Sequence, residues 1–133
     1  HAPTSAQWGY ENRTTAIRIP GGDLASKRIE HRVAGGDTNP YLVMTAILGS
    51  ALLGIEKKLN PIKPVMNNAY DNGAENLALN WEDAINYFEN NKDIKKIFSN
   101  EIIENLVRTK RQEINEFKKI ESSKHWKYYV SAI

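Results

Sequence analysis

The feature that most constrains the fold is an apolar run from Pro40 to Ile55, PYLVMTAILGSALLGI. Its 16 residues fall short of the roughly 20 that a helix needs to span a bilayer. Asn39 is a favourable N-cap, and Pro40 suits the first helical position, where its missing N–H costs nothing. The run therefore predicts a helix from Pro40 to about Lys58 that is apolar on nearly every face and surrounded by protein.

Two short segments rich in β-formers precede this helix. RTTAIRIP, Arg13 to Pro20, contains several β-branched residues and stops at a proline. KRIEHRV, Lys27 to Val33, follows after the glycine-containing turn GGDLAS. A connection this short predicts that the two segments pair as an antiparallel hairpin.

Strand alternation gives this hairpin one charged face. Because successive side chains point to opposite sides of a strand, Arg28, Glu30 and Arg32 share one face. The same face receives Arg18 from the first strand, whereas aliphatic residues of both strands lie on the other side. Arg13 precedes the first strand and reaches the charged set from its end.

The charged set has two interpretations. The simpler one is a solvated sheet face with cross-strand ion pairs. The other is an anion site, because guanidinium groups bind phosphate or carboxylate through a planar fork. A single glutamate among arginines is then suited to hold a divalent cation that the phosphates share. Charge neutralisation of this kind is what phosphoryl transfer requires, but the residue pattern leaves both interpretations open.

The rest of the chain is predicted to be loops and helices. Residues 1–12 show no clear periodicity and are predicted as a loop, and residues 60–80 form a long loop rich in Asn, Pro and Gly. Asn80 is predicted to cap the helix WEDAINYFEN, and DIKKIF forms a short helix. A longer helix from Glu101 to about Ser122 follows from a three-to-four apolar spacing. The aromatic tail HWKYYVSAI is predicted to dock on the body, with His125 and Trp126 in structural roles.

These elements define the predicted fold class. It is α+β, a two-stranded antiparallel hairpin followed by several helices. Length predicts one domain over residues 1–133, in which residues 1–36 carry the hairpin and residues 37–133 form the helical part.

The chain resembles the C-terminal part of the catalytic domain of the glutamine synthetase family in two successive segments, NRTTAIRIP and KRIEHRVAGGDTNPYL. The family pattern is N-R-[ST]-x-x-x-R-[IV]-P, then R-[IL]-E-x-R, then A-N-P-Y-L or a close variant, and the chain matches the three pieces in order. The resemblance is strong over residues 1 to about 59 and continues more weakly to the C-terminal helix. Its later segments lean toward the γ-glutamylpolyamine synthetase branch. It implies that residues 1–133 are a C-terminal portion of such a catalytic domain.

The resemblance implies an ATP-dependent ligase. In this family ATP phosphorylates the side-chain carboxylate of glutamate, and ammonia or an amine then displaces phosphate to form a γ-glutamyl amide. Arg13 resembles the arginine that contacts the transferring phosphoryl group, and Arg32 the one that holds the substrate glutamate. Arg18 and Arg28 resemble arginines that contact ATP. Glu30 resembles a ligand of the Mg²⁺ or Mn²⁺ ion that bridges the phosphates.

The acceptor stays open between ammonia and a larger amine. Many ammonia-using members carry a glutamate twelve residues before the arginine at the position of Arg13, and ungapped counting reaches His1. A native His1 favours a larger amine, although a neutral imidazole can also serve as a base. The loss of the glutamate therefore leaves the acceptor undecided.

The resemblance also implies that further parts exist elsewhere. Other metal ligands of the family lie on earlier strands, and its active sites form between neighbouring subunits of a homo-oligomeric ring. We therefore expect the chain to be a piece of a longer protein that catalyses no ligation alone and binds ATP weakly or not at all. An unpaired edge of the hairpin is expected to pair with another chain.

Composition limits the kinds of partner that the chain is expected to bind. The net charge of +2 is too mild to indicate nucleic-acid binding, and neither nucleic acid nor a membrane is expected as a partner. The chain has no cysteine, which excludes disulfides and thiolate metal sites and is compatible with the predicted cytoplasmic location. Two rival functions remain: a stand-alone anion- or nucleic-acid-binding module that uses the same arginines, and an interaction domain in which residues 80–133 dock a partner.

Overall fold

The computed structural model describes residues 2–130, without the side chains of Tyr128 and Tyr129. The expectation attached to His1 therefore lies outside the described residues. The chain forms two compact units, residues 1–77 (unit 1) and residues 78–133 (unit 2). Unit 1 contains the strands and the apolar helix. The division into residues 1–36 and 37–133 of one catalytic-domain portion stays a prediction.

Unit 1 contains a small three-stranded sheet. Its strands are β1 (Trp8–Tyr10), β2 (Ile17–Ile19) and β3 (Glu30–His31), in the order β1-β2-β3. The antiparallel pairing of β2 with β3 confirms the predicted hairpin. The second predicted strand is shorter than expected, because Lys27 to Ile29 lie outside β3. A 3-10 turn at Leu24–Ser26 forms the connection.

The prediction of a loop over residues 1–12 is wrong at β1, which pairs with β2 in parallel. Parallel neighbours normally need a connection of a dozen or more residues, but only residues 11–16 join these two strands. The connection over residues 11–16, called here the return segment, can be short because each strand has three residues and spans only about 10 Å. Glu11 starts the return in the left-handed region, with a φ of 51°.

The long loop between residues 60 and 80 is confirmed, and it lies along the outer edge of the sheet. The Val65 N–H donates to the Trp8 carbonyl at 2.9 Å, and the indole N–H of Trp8 donates to the Ile62 carbonyl at 2.6 Å. A 3-10 turn at Ala69–Asp71 interrupts the loop. The expected unpaired edge is therefore covered on the β1 side, because backbone groups of this loop bond to β1.

The core of unit 1 is small and partly polar. Thr15, Ala16, Val65 and Ala69 are buried, and Thr15 has no exposed surface. The hydroxyl of Thr15 lies 2.9 Å from the carbonyl of Asn12 and 2.9 Å from that of Ile17, so it donates within its own turn. Because these buried side chains are small, the return segment packs close to the loop that covers β1.

Helix α1 (Pro40–Glu56) follows the sheet, and the Asn39 side chain accepts from two N–H groups in its first turn, as predicted. The expectation that protein surrounds α1 is wrong for the described chain, since none of its residues is buried. Tyr41 is 82% exposed and Ile55 74% exposed. The reason is size: a helix of 17 residues is about 26 Å long and exceeds what three short strands can cover.

The described residues of unit 2 form helices and turns. The helices are α2 (Trp81–Asn90), α3 (Ile94–Ile97), α4 (Asn100–Phe117) and α5 (His125–Val130), with a 3-10 turn at Ser122–Lys124 before α5. Asn80 caps α2 as predicted. The cap of α4 is Ser99. In the part of the chain that the structure describes, no helix has the length and apolar character needed to cross a membrane.

The core of unit 2 follows the predicted spacing of α4. Ile103, Val107 and Ile114 are buried, and α2 contributes Ile85. The predicted extension of α4 to about Ser122 is wrong, because the helix ends at Phe117. A ring nitrogen of His125 lies 3.2 Å from the Phe117 carbonyl and 2.9 Å from that of Ile120, where the helix stops. His125, at the start of the tail, therefore docks at the end of α4 and has the predicted structural role, whereas Trp126 is 62% exposed.

Candidate functional site

The register of the hairpin brings Arg18 and Glu30 directly opposite each other. The Arg18 Nη1 atom donates to Glu30 Oε2 at 2.8 Å. Ile17 pairs with His31 in the same way, one residue along each strand. Since neighbouring residues alternate between faces, the charged pair and the Ile17–His31 pair lie on opposite sides of the sheet, as predicted.

Arg28 reaches the same carboxylate from the connection before β3. Its Nε and Nη2 atoms donate to Glu30 Oε1 at 3.1 and 2.9 Å. Arg28 is the more exposed partner, because 55% of its side chain is accessible and only 11% of that of Arg18. Two of the four predicted arginines therefore converge on Glu30, one at the sheet surface and one open to solvent.

A second carboxylate, missed in the sequence, joins this set. Glu11 lies at the end of β1, and its Oε2 atom accepts from Arg18 Nη2 at 2.6 Å. The other oxygen of Glu11 accepts from the N–H of Gly21. Glu11, Arg18, Glu30 and Arg28 thus form an alternating row of charges, called here the ion-pair chain. The parallel strand β1 brings Glu11 to Arg18, and no sequence pattern had indicated that strand.

The ion-pair chain favours the charged forms of Glu11, Arg18 and Glu30. The pKa of Glu30 is lowered, mainly because Arg18 and then Arg28 donate to its carboxylate, against an opposing desolvation. The pKa of Glu11 is lowered chiefly by the N–H of Gly21 and then by Arg18. The same two carboxylates raise the pKa of Arg18, with Glu30 the larger cause.

Arg13 and Arg32 form a second group beside the ion-pair chain. Arg32 Nη1 donates to the main-chain carbonyls of Arg13 and of Thr15, the latter at 3.1 Å. Its own N–H donates to the Ala16 carbonyl at 2.8 Å and extends the pairing beyond β3. Among the described residues, the guanidinium of Arg13 has no hydrogen-bond or ion-pair partner. Arg32 is therefore anchored to the segment that presents Arg13.

The residues on either side of Arg13 explain the N-R-T motif. The Asn12 amide donates to the carbonyls of Val65 at 3.0 Å and Asn67 at 2.7 Å. The Thr14 hydroxyl accepts from the N–H of Ala69 at 2.9 Å. Both side chains bind to the loop that covers β1, so the motif holds residues 12 and 14 and leaves the Arg13 side chain without such an anchor.

The residues present fit a phosphate group better than they fit a complete metal site. Arg28 is exposed, and its planar fork is suited to phosphate oxygens. Each Glu30 oxygen accepts from arginine but retains lone-pair capacity for a cation. No group of three or more His, Asp or Glu side chains suited to a metal exists in the described part of the chain. Glu30 would therefore be one ligand among several from other sources.

Comparison with known proteins shows the family of the chain. The family model described as the glutamine synthetase catalytic domain matches residues 1–129. The chain belongs to this family. It is 39% identical over 115 residues to glutamate–isopropylamine ligase from a Pseudomonas species. It is 34% identical over 120 residues to γ-glutamylputrescine synthetase of Escherichia coli.

Solved structures of a family member share the fold. A structure of GmaS without ligand matches 93% of this chain and 29% of its own, with a TM-score of 0.77 and 28% identity. A GmaS/ADP complex matches 95% of this chain and 29% of its own, with a TM-score of 0.77 and 26% identity. These likenesses confirm the predicted α+β fold and the family resemblance.

The match covers only part of each relative. It includes 84% and 90% of this chain, respectively, but 25% of the length of both the isopropylamine ligase and the putrescine enzyme. The chain thus corresponds to about a quarter of those proteins. The roles assigned to Arg13, Arg18, Arg28, Glu30 and Arg32 stay predictions.

Proposed function

We propose that the chain provides part of the nucleotide and metal site of an ATP-dependent ligase that joins glutamate to ammonia or an amine through γ-glutamyl phosphate. The observation that carries the proposal is the convergence of Arg18 and Arg28 on Glu30, within a chain that belongs to the glutamine synthetase family. The GmaS/ADP complex supports a nucleotide as the ligand. Family membership favours this function over a separate anion-binding module or a helical interaction domain.

Within this proposal, exposure separates the arginines. Arg28 is open to solvent and is the residue that binds a nucleotide phosphate. Arg18 is mostly covered, and its charge stabilises the Glu30 carboxylate and adds positive potential beneath the phosphates. Arg13 contacts the transferring phosphoryl group, and Arg32 binds substrate glutamate while anchored to the Arg13 carbonyl.

Glu30 is the proposed ligand for Mg²⁺ or Mn²⁺. Such an ion neutralises phosphate charge and orients the oxygens when it is bound. The two arginines lower the pKa of Glu30, which keeps the carboxylate ionised and able to bind a cation at neutral pH. They also hold its orientation, so the chain supplies a preformed ligand for the metal.

The remaining parts of the proposal concern the whole enzyme. The relatives include ligases named for isopropylamine and putrescine and enzymes named glutamine synthetase, such as one from Clostridium saccharobutylicum that is 33% identical. Their identities are similar, so the acceptor is an amine or ammonia and the choice requires measurement. A homo-oligomeric ring and a cytoplasmic location belong to the proposal as family expectations. The isolated chain is expected to be inactive.

The test grafts residues 1–129 in place of the matching segment of the E. coli γ-glutamylputrescine synthetase. Phosphate release from ATP is measured with glutamate plus putrescine, isopropylamine or ammonia. We expect release that requires glutamate and a preferred acceptor. Arg28→Ala and Glu30→Gln should each lower it about a hundredfold, the order seen when one preorganised charge-stabilising contact is lost.

Lys27→Ala is the matched control, because Lys27 neighbours Arg28, is exposed and has no ion pair among the described residues. It should retain the rate of the parent graft. Size-exclusion chromatography and circular dichroism establish that every graft is folded and assembled. Equal rates for the Arg28→Ala and Lys27→Ala grafts would refute the proposed role of the arginine.

A further inference from the structure

The feature that the proposed roles leave unused is Glu11. Its carboxylate accepts from Arg18 Nη2 at 2.6 Å and from the N–H of Gly21. We propose that Glu11 is a positioning residue, which holds Arg18 in place and, through Arg18, orients the Glu30 carboxylate. The inference rests on the proposed function for its consequence in nucleotide binding, but its structural part can be tested separately.

The backbone around Glu11 favours a fixed carboxylate. Glu11 follows directly after the parallel strand β1 and has a φ of 51°, a region that few non-glycine residues adopt. Its N–H donates to the Ile19 carbonyl at 3.1 Å, and its side chain binds the N–H of Gly21. The main chain of Glu11 is thus bonded to the last residue of β2 and its side chain to the segment just after β2, which limits the rotamers that Glu11 can adopt.

The geometry of Arg18 shows what this carboxylate does. Arg18 Nη1 donates to Glu30 at 2.8 Å, and Nη2 donates to Glu11 at 2.6 Å. A guanidinium is planar, so two partners on its two terminal nitrogens determine the plane of the whole group. Without Glu11, one anchor remains, and Arg18 can rotate about its bond to Glu30. Glu30 then loses a fixed donor on Oε2 while Arg28 still holds Oε1.

If Glu11 acted only through its negative charge, its removal would strengthen anion binding, which is the opposite of what a positioning role predicts. Deleting the negative charge of Glu11 makes the site more positive, which by itself strengthens the binding of a polyphosphate. Loss of positioning weakens it, because Arg18 and Glu30 no longer keep their orientation. The direction of the change therefore separates the two effects.

The experiment uses the full chain and compares Glu11→Gln with the wild type. Gln is isosteric but uncharged, so it weakens the contact with Arg18 without opening a cavity. NMR of ¹⁵N-labelled arginine side chains at low temperature reports whether the two Nη groups of Arg18 give separate signals, as expected when both are bonded. Glu56→Gln is the control, because Glu56 is exposed and has no side-chain partner among the described residues.

A second variant protects the test against misfolding. A Cβ at Gly21 would lie 3.2 Å from Glu11 Oε1, so Gly21→Ala shifts the carboxylate by a few tenths of an ångström without removing its charge. Tripolyphosphate with Mg²⁺ is titrated into each protein, with the Nε–H signal of Arg28 as the reporter. In Glu11→Gln we expect averaged Nη signals for Arg18 and a dissociation constant about threefold weaker, the order of one exposed charge pair. Gly21→Ala should change both in the same direction but by less, because the carboxylate moves only slightly.

Two outcomes overturn the positioning role. One is separate Nη signals of Arg18 in Glu11→Gln identical to those of the wild type. The other is tighter or unchanged tripolyphosphate binding by Glu11→Gln when the wild type binds the probe. If the wild type does not bind the probe, as expected of a chain that supplies only part of the nucleotide site, the Arg18 signals alone decide the role of Glu11.

Discussion

Replacing Asn12 by alanine should destabilise unit 1, because this side chain joins the return segment to the loop that covers β1. Asn12 donates to the carbonyls of Val65 and Asn67 at 3.0 and 2.7 Å. Its Oδ1 atom accepts from the N–H and the hydroxyl of Thr14 at 3.0 and 2.6 Å. At a net value of about 0.5–1.5 kcal/mol per hydrogen bond, and with some groups regaining water, we expect a loss of about 3 kcal/mol.

Urea unfolding of the full chain measures this loss. Trp8 lies in unit 1, whereas Trp81 and Trp126 lie in unit 2. A background with Trp81→Phe and Trp126→Phe therefore makes the fluorescence report on the sheet. With an m-value of about 2 kcal/mol per molar urea, Asn12→Ala should lower the midpoint by about 1.5 M.

Two variants make the result specific. Asn12→Asp keeps an acceptor for Thr14 but places a carboxylate oxygen against the two loop carbonyls that Asn12 bonds, so its midpoint should fall at least as far as that of Asn12→Ala. Asn60→Ala is the matched control, because Asn60 is exposed and has no side-chain hydrogen bond in the described chain. If Asn12→Ala and Asn60→Ala have the same midpoint, the bridge between return segment and loop does not stabilise unit 1.

Three further predictions concern packing and charge. Ile103→Ala removes a side chain that is 4% exposed and should lower the free energy of unfolding, measured thermally, by about 3 kcal/mol. Ile102→Ala, at a residue that is 42% exposed, should lower it by less than about 1 kcal/mol. Equal losses would contradict the assigned core. Gly9→Ala places a Cβ 2.6 Å from a main-chain carbonyl and should cost about 1–3 kcal/mol in the urea assay, and an unchanged midpoint would show that the loop can move away. The pKa values of Glu11 and Glu30 are lowered in the fold. Their contribution to stability is therefore complete above their unfolded pKa of about 4.3 and is lost as the pH falls through the folded pKa values. Urea midpoints measured across acidic pH should decrease less steeply in Glu11→Gln than in the wild type.

Features that depend on neighbouring residues could be predicted from the sequence. The caps at Asn39 and Asn80 are such features, because an N-cap needs only a side-chain oxygen and the next few N–H groups. The opposition of Arg18 and Glu30 is another, since a short hairpin and strand alternation determine it. The charged face and its central carboxylate therefore followed from local pattern.

Features that depend on distant backbone contacts could not be predicted in this way. Strand β1 has three residues and gains its bonds from β2 and from the 60–80 loop, so no periodicity marks it. Glu11 was missed for the same reason, because its distance from Arg18 follows from the parallel pairing. The end of α4 at Phe117 involves His125, eight residues farther along, whereas the apolar spacing alone continued past that point.

The two groups of arginines differ in what fixes them, and this difference follows from the chemistry of their partners. Arg18 and Arg28 are held by carboxylates, whose charge a phosphate or a cation can modulate. Arg32 is held by main-chain carbonyls of the return segment, so groups that carry no net charge fix its position. Arg13 is presented by two anchored neighbours, Asn12 and Thr14. A phosphate or cation that binds beside Glu30 can therefore compete with the carboxylate contacts of Arg18 and Arg28, whereas it leaves the main-chain anchors of Arg32 in place, which suits the proposed roles of Arg13 and Arg32 in holding a phosphoryl group and a carboxylate.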